Sequence, residues 1–432
     1  MNLQNSWVLG CPMPEGGKVA QGVYNGGPML ADDRQGPTPY DTLMQIVTDV
    51  TEADFRDYVE KLKGLDVLPY LERSLGEDRF FAFWQGDKDY HVSFFASRGQ
   101  IRVTEGPQSD SLKDFGYSAQ GPEQTVIYQY GLYYDPDNNM TPRTANCGML
   151  YIIRLSDNSL FMIDGGFILQ WNEEAAAALW QFLLRITDTP EDGKIRICGW
   201  YFTHTHADHI DGCVKLLNRH HEQIVLERLL FNFPLYESVG GYEASAYHVR
   251  DMVARWYPGA KALKLHTGQE FSLADMKVEV YYTMEDPVTA EEPTRFPLRD
   301  GNCMSAILKL TIGGKTVMML GDTNVETEEF LVKYSDKGLW KADMVQVAHH
   351  CFNFLDTLYE WIGAPVVMVP NSWGGAHQPE NVAKLEGALK YMKDGQVYYE
   401  GGGTDGFAAT AEGWKSIAHY DVVGGEYDGS GY

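Results

Sequence analysis

Ile195-Arg196-Ile197-Cys198-Gly199-Trp200-Tyr201-Phe202-Thr203-His204-Thr205-His206-Ala207-Asp208-His209 begins as an apolar run and ends in a cluster of histidines around one aspartate. Residues 195–202 have the length and the aromatic and β-branched content of a buried strand. The histidine cluster therefore lies at the carboxyl end of a strand, where α/β proteins place ligands. A turn there can aim His204 and His206 at one point and Asp208 and His209 at another. Neutral imidazole and carboxylate are ligands that Zn²⁺ prefers and that Fe or Mn also accept. The chain has only 12 histidines in 432 residues, so three of them within six positions speak for a metal centre over a solvated polar loop.

Two further strands end in residues of the same kind. The run over 316–320 leads into Gly321-Asp322, and the run over 344–347 leads into Ala348-His349-His350. Asp322 alone would be an ordinary turn residue. The same strand-then-ligand pattern three times argues for convergence on one site. Other strands are predicted over 149–155, 160–163, 277–282, 305–311 and 366–369, with a turn at Ser156-Asp157-Asn158. Helices are predicted over 173–186, capped by Asn172, and over 244–256, 325–334 and 379–392. Two β-rich halves, each followed by helices, imply two packed sheets with helices outside.

Upstream, residues 1–40 are rich in Gly and Pro and read as an extended arm. Residues 41–123 read as a small α+β domain and linker. Thr51 with Asp54 starts a helix carrying Phe55, Tyr58, Val59 and Leu62. Three aromatic or β-branched strands come next, over 79–85, 90–96 and 101–104, and form a meander packed on helices. The aromatics Phe80, Phe81, Phe83, Trp84, Tyr90, Phe94 and Phe95 read as sheet core, not a ligand platform. Residues 106–124 are a polar linker, and residues 124–432 carry the site.

Hydrophobic residues make up 44% and charged residues 22% of the chain, as in ordinary soluble enzymes. No window reaches the roughly 18 apolar residues of a membrane span. Met1–Lys18 has neither the basic start nor the apolar run of a secretory signal. Val8-Leu9-Gly10-Cys11 has only a faint likeness to a lipoprotein cleavage site, and a trimmed export signal stays open. Cysteines at 11, 147, 198, 213, 303 and 351 show no paired spacing, which favours free thiols and a cytoplasmic address. A net charge of −25 excludes a basic track for nucleic acid and suits a neutral or cationic small-molecule substrate. A homo-oligomer stays open.

His204-Thr205-His206-Ala207-Asp208-His209 resembles the HxHxDH signature of the metallo-β-lactamase superfamily, continued by Ile210-Asp211-Gly212. Asp164-Gly165-Gly166 after an apolar run resembles the superfamily's upstream Asp motif, Asp322 its bridging carboxylate and His349-His350 its late His motif. Asn302 with Ser305, Gly321-Asp322, His349-His350 and His377-Gln378-Pro379 look most like the hydrolase domain of the competence protein ComEC. The likeness spans about residues 125–425, and the first 120 residues match no family. It implies a four-layer αββα sandwich and a zinc-dependent hydrolase with one or two ions, Fe or Mn being alternatives. The substrate would be a small-molecule ester, lactone, thioester or phosphodiester attacked by metal-activated hydroxide.

The implied ligand sets are His204, His206 and Asp322 for one ion. For the other they are Asp208, His209, Asp322 and either His349 or His350. His349 is preferred because it lies nearer its strand. The further His that many members carry before the bridging Asp is missing: Arg299-Asp300-Gly301-Asn302-Cys303 stands there. Asn302 is the imperfect substitute, and His220, His221, His248 and His266 are other candidates. A thiolate from Cys213, Cys303 or Cys351 is a further alternative. Asp164 is assigned to orienting a ligand histidine. Asp208 is expected to hold the attacking water as well as metal, and His377 to act as general acid. Residues 400–406 read as a loop with backbone N–H groups. Rival readings are an iron-dependent redox enzyme on the same fold and a metal-binding protein with reduced catalysis.

Overall fold

The computed structural model describes residues 7, 9–19, 24–25, 43–108, 111–132, 148–166, 173–188, 193–233, 244–288, 301–392 and 395–421. The strand Ile195–Tyr201 sits inside a nine-stranded sheet, parallel to both Leu160–Asp164 and Arg228–Phe231. Beyond Leu160–Asp164 the sheet turns antiparallel through Leu150–Arg154 and Val126–Gln129 to the C-terminal hairpin Thr404–Thr410 and Gly413–Tyr420. A seven-stranded sheet faces it. There Glu270–Leu273, Met276–Tyr282, Ile307–Ile312 and Lys315–Met319 run antiparallel. Met344–Gln346, Val366–Val369 and Gln396–Tyr399 then continue in parallel from Lys315–Met319.

Strand alternation sorts the side chains into layers. Ile153, Phe161, Ile163, Tyr201 and Leu230 point into the space between the sheets, where they meet Val278, Leu308, Leu310, Met319 and Met368. The opposite face of the first sheet, with Ile152, Met162, Ile197 and Trp200, packs on Leu179, Leu183, Leu216, Leu217 and Val253. Those residues come from helices Glu173–Ile186, Ala207–His220 and Ala244–Trp256. Met318, Val345 and Val367 on the outer face of the second sheet meet Leu331, Leu358 and Leu385 of helices Val325–Tyr334, Asp356–Ile362 and Val382–Leu389. The result is an αββα sandwich, as the reading of two packed sheets required. Each large side chain buried in such a core stabilises it by about 1.5–3 kcal/mol.

The N-terminal residues build a third sheet, and here the sequence reading was too sparse. The meander is present as Asp78–Gln85, Lys88–Phe95 and Gln100–Pro107, but it belongs to a seven-stranded antiparallel sheet that also includes Leu43–Thr48 and Leu68–Leu75. Among the described residues one helix covers it, not several: Glu52–Lys63, closed by a Thr51–Asp54 capping box. Its Phe55, Tyr58, Val59 and Leu62 bury against Phe81, Phe83, Tyr90, Val92 and Phe94. The described part of residues 1–40 is not a free arm. Lys18–Val19 pairs with Val47–Thr48, and Leu9, Cys11 and Val19 lie in the same core. This sheet meets the sandwich through polar contacts: Arg102 Nη1 to Asp286 at 3.0 Å, Arg73 Nη2 to Glu279 at 2.6 Å, and His91 Nε2 to the Thr267 carbonyl at 3.0 Å.

The second-half helix expected over 379–392 is shorter, Val382–Leu389, with a single turn at Trp373–Ala376 before it. The cap proposed at Asn172 and the segment 299–300 lie outside the described residues. No helix among the described residues is long and apolar enough to cross a membrane.

Candidate metal centre

The parallel strands of both sheets end at one edge, and the residues just past their ends meet there. His204 comes directly after Ile195–Tyr201, and His206 is the N-cap of helix Ala207–His220, so Asp208 and His209 lie in that helix's first turn. The helix corrects the expectation of a simple turn. Ile210, Cys213, Leu216 and Leu217 are its buried stripe, and they carry the helical spacing that could have revealed it. Asp322 follows Lys315–Met319, and His350 follows Met344–Gln346.

Two groups of ligand atoms result: Asp208, His209, Asp322 and His350 in one, and His204, His206 and Asp322 in the other. In the first, His209 Nε2 lies 3.2 Å from Asp322 Oδ1 and 3.2 Å from His350 Nε2. His350 Nε2 lies 3.2 Å from Asp208 Oδ2 and 3.3 Å from Asp322 Oδ2. A tetrahedral ion with bonds of about 2.0–2.1 Å needs ligand atoms about 3.3–3.4 Å apart, so this group fits such an ion. In the second, His204 Nε2 lies 3.8 Å from Asp322 Oδ2, and His204 Nε2 is buried without a hydrogen-bond partner. Gly301 lets the backbone come close here, because a Cβ at that position would fall 2.4 Å from His206 Nε2.

The preference for His349 was wrong in its geometric premise. His349, His350 and Cys351 all adopt left-handed backbone, with φ of 50°, 50° and 70°. This turn carries the chain around so that the second histidine, not the one nearer the strand, points inward. His350 is buried and its Nδ1–H donates to the Pro370 carbonyl at 3.0 Å. His349 stays outside both groups, with Nε2 3.9 Å from Asp322 Oδ2 and accepting from Asn302 Nδ2 at 3.4 Å. Asn302 therefore meets His349 and joins neither group.

Supporting contacts fix the ligands. Asp164 accepts the His209 Nδ1–H at 2.5 Å, the Thr203 hydroxyl at 2.8 Å and the Thr203 backbone N–H at 2.8 Å. The hydroxyl of Thr203 also meets His204 Nδ1 at 3.0 Å. Ser305 Oγ accepts from the Asp322 backbone N–H at 3.0 Å. Gln346 joins the two strand ends: its Oε1 accepts from Leu320 and Gly321, and its Nε2 donates to the Gly321 carbonyl. Thr203 and Gln346 escaped the sequence reading. The one available signal was a lone Gln inside the apolar run Met344-Val345-Gln346-Val347.

Burial and charge act against each other here. Burial pulls the His209 ring down, but Asp322, Asp164 and Asp208 outweigh it and hold it up to about 10. His350 is likewise held above the usual histidine range, burial being overcome by Asp322 and Asp208. His204 goes the other way, lowered by burial and by His209 and His206. Asp322 and Asp208 stay below the usual carboxylate range: the histidines beside them overcome their burial. Buried carboxylates closely packed with imidazoles form a cation-binding arrangement.

The other candidates stand apart. His377 stacks on Trp373 with ring centres 4.1 Å apart, and its Nδ1 donates to the Trp373 carbonyl at 2.7 Å; neither contact reaches the two groups. His220 stacks on Trp180, His221 on Trp256, and His266 pairs with Glu285. His248 is exposed on its helix. None of these four replaces the missing ligand. Cys213, Cys303 and Cys351 are buried free thiols outside both groups. The segment 400–406 is not one loop, since Thr404–Thr410 is a strand.

Solved structures similar to this chain include the metallo-β-lactamase fold protein YhfI from Bacillus subtilis, at 13% identity over 64% of this chain and 97% of that one, TM-score 0.37. Zn²⁺-bound PqqB from Methylobacterium extorquens is similar at 10% identity over 63% and 86%, TM-score 0.33. CmlA, a diiron β-hydroxylase from Streptomyces venezuelae, is similar at 12% identity over 64% and 45%, TM-score 0.31. No protein-family model matches the chain, and no curated protein does.

Proposed function

We propose that the chain is a metal-dependent hydrolase of a small-molecule ester, lactone, thioester or phosphodiester. The observation that carries this reading is the buried group Asp208, His209, Asp322 and His350, spaced as a tetrahedral ion requires. Zn²⁺ suits its nitrogen and oxygen donors, with His204 and His206 supplying a second, weaker position that shares Asp322. When bound, such an ion supplies a nucleophile at neutral pH and polarises the oxygen under attack.

The chain's own residues do the rest. Asp208, 23% exposed where the other three of its group are buried, faces the open side and can accept a proton from the attacking water while holding it in line. Asp164 fixes the tautomer of His209 by accepting its Nδ1–H, leaving Nε2 for the ion. With Nδ1–H of His377 donated to Trp373, its Nε2 is the atom left to serve a leaving group. The net charge of −25 favours neutral or cationic substrates and disfavours nucleic acid. The partial likeness to ComEC-type domains rests on Asn302, Ser305 and His377-Gln378-Pro379, and it extends to the sequence pattern, not to DNA as substrate.

The test is a panel of chromogenic esters, lactones, thioesters and phosphodiesters with Zn²⁺ or Mn²⁺. Turnover by the native chain and none by Asp208→Ala, with an unchanged fold, is the expected outcome. Full turnover by Asp208→Ala, or silence of the native chain across the panel with metal bound, contradicts the reading. Both ligand groups lack sulfur, so iron is also acceptable to them. Metal analysis of protein from unsupplemented cells decides between zinc hydrolysis and iron redox chemistry.

A further inference from the structure

The parallel strands of the second sheet each hand one polar residue to the same edge. Asp322, His350 and Asn371 follow the first three, and Glu400 directly follows Gln396–Tyr399. Asn371 Nδ2 donates to the His350 carbonyl at 2.9 Å. Glu400 is 0% exposed, and neither of its carboxyl oxygens has a well-formed hydrogen bond. Two other buried polar atoms share this condition, the Tyr151 hydroxyl and Gln129 Oε1, on residues paired across adjacent strands. Natural proteins rarely bury a carboxyl this way without use for it.

We propose that Glu400 is the proton-holding group of the metal centre, neutral without bound ions and ionised when divalent ions bind, its proton passing to solvent. The charges around it support this. Burial pushes the carboxyl well above its usual range, and His350, His209 and the Leu132 backbone N–H oppose that push only in part. Tyr151, on the sheet opposite, is itself pushed up by burial and by Glu400 and Asp164. Asp208 and Asp322 carry two negative charges, against four on a pair of divalent ions. An ionised Glu400 lowers that imbalance without occupying a coordination position. Metal affinity then carries one more linked proton than the ligands alone would give.

This inference rests on the metal-centre reading, and one titration separates the two. Chelator-stripped protein is titrated with Zn²⁺ in weak buffer with an indicator dye, counting metals bound and protons released. Glu400→Gln is expected to bind as many ions as the native chain while releasing about one proton fewer. Its plot of log affinity against pH is shallower by about one unit of slope. Equal proton counts in the two proteins overturn the role of Glu400 alone. No Zn²⁺ uptake by the native chain overturns the metal-centre reading beneath it. Should Glu400→Gln fail to fold, infrared difference spectra of the native chain labelled with ¹³C-glutamate decide. A protonated glutamate carbonyl band lost on Zn²⁺ addition, with carboxylate bands gained, supports the proposal; a band that persists overturns it.

Discussion

The two ligand groups share Asp322 yet are built to different standards. In one, Asp208 and His209 from a helix start, Asp322 from a strand end and His350 from a left-handed turn close to within 3.2–3.3 Å. His209 is braced by Asp164 and His350 by the Pro370 carbonyl. In the other, His204 and His206 come from one short segment, and His204 stands 3.8 Å from Asp322. Histidine and carboxylate are present in both. The groups differ in how many separate elements converge and how firmly each ring is held, which sets preorganisation and so affinity.

Variants probe this difference in order of size. Asp322→Ala removes the shared carboxylate, so both positions lose metal and activity falls by about a thousandfold or more, the scale of losing a major electrostatic group. Elemental analysis and turnover check it. His350→Ala abolishes the tighter position and spares the weaker, while His349→Ala leaves the metal count unchanged. Reversal of those two phenotypes would restore His349 as ligand. Asp164→Asn weakens the tighter position by about 10–100-fold, read by competition with a chelating dye.

The pH dependence bears on the same contrast. His209, held up to about 10, and His350, also raised, bind protons at neutrality that a metal must displace. Affinity at the tighter position therefore rises with pH, about tenfold per unit for each displaced proton, until the rings titrate. His204 is already held neutral by its lowered affinity for protons, so its position responds less. The smallest effect on metal is expected from His377→Ala, whose contacts are with Trp373. Both affinities should stay unchanged while turnover falls.

The strand that opens the site and its histidine run were legible because a core strand followed by so many ligand-type residues has few other uses. Asp322 was legible for the same reason at lower strength. The choice between His349 and His350 was not, because it depends on positive φ at three non-glycine residues, which local composition does not encode. Glu400 was hidden by its neighbours: Gly401-Gly402-Gly403 reads as loop, and nothing local says that the strand before it lies beside Val366–Val369. The N-terminal strand Leu68–Leu75 was missed because Pro69, Glu72 and Arg73 disguise an edge strand as irregular chain.

The most direct test is a Zn²⁺ titration of chelator-stripped protein, followed by elemental counting, with His350→Ala and His206→Ala alongside the native chain. Two binding classes are predicted for the native protein, the tighter lost in His350→Ala and the weaker lost in His206→Ala. A single class unaffected by His350→Ala, or no stoichiometric binding, would contradict an unequal centre built around Asp322.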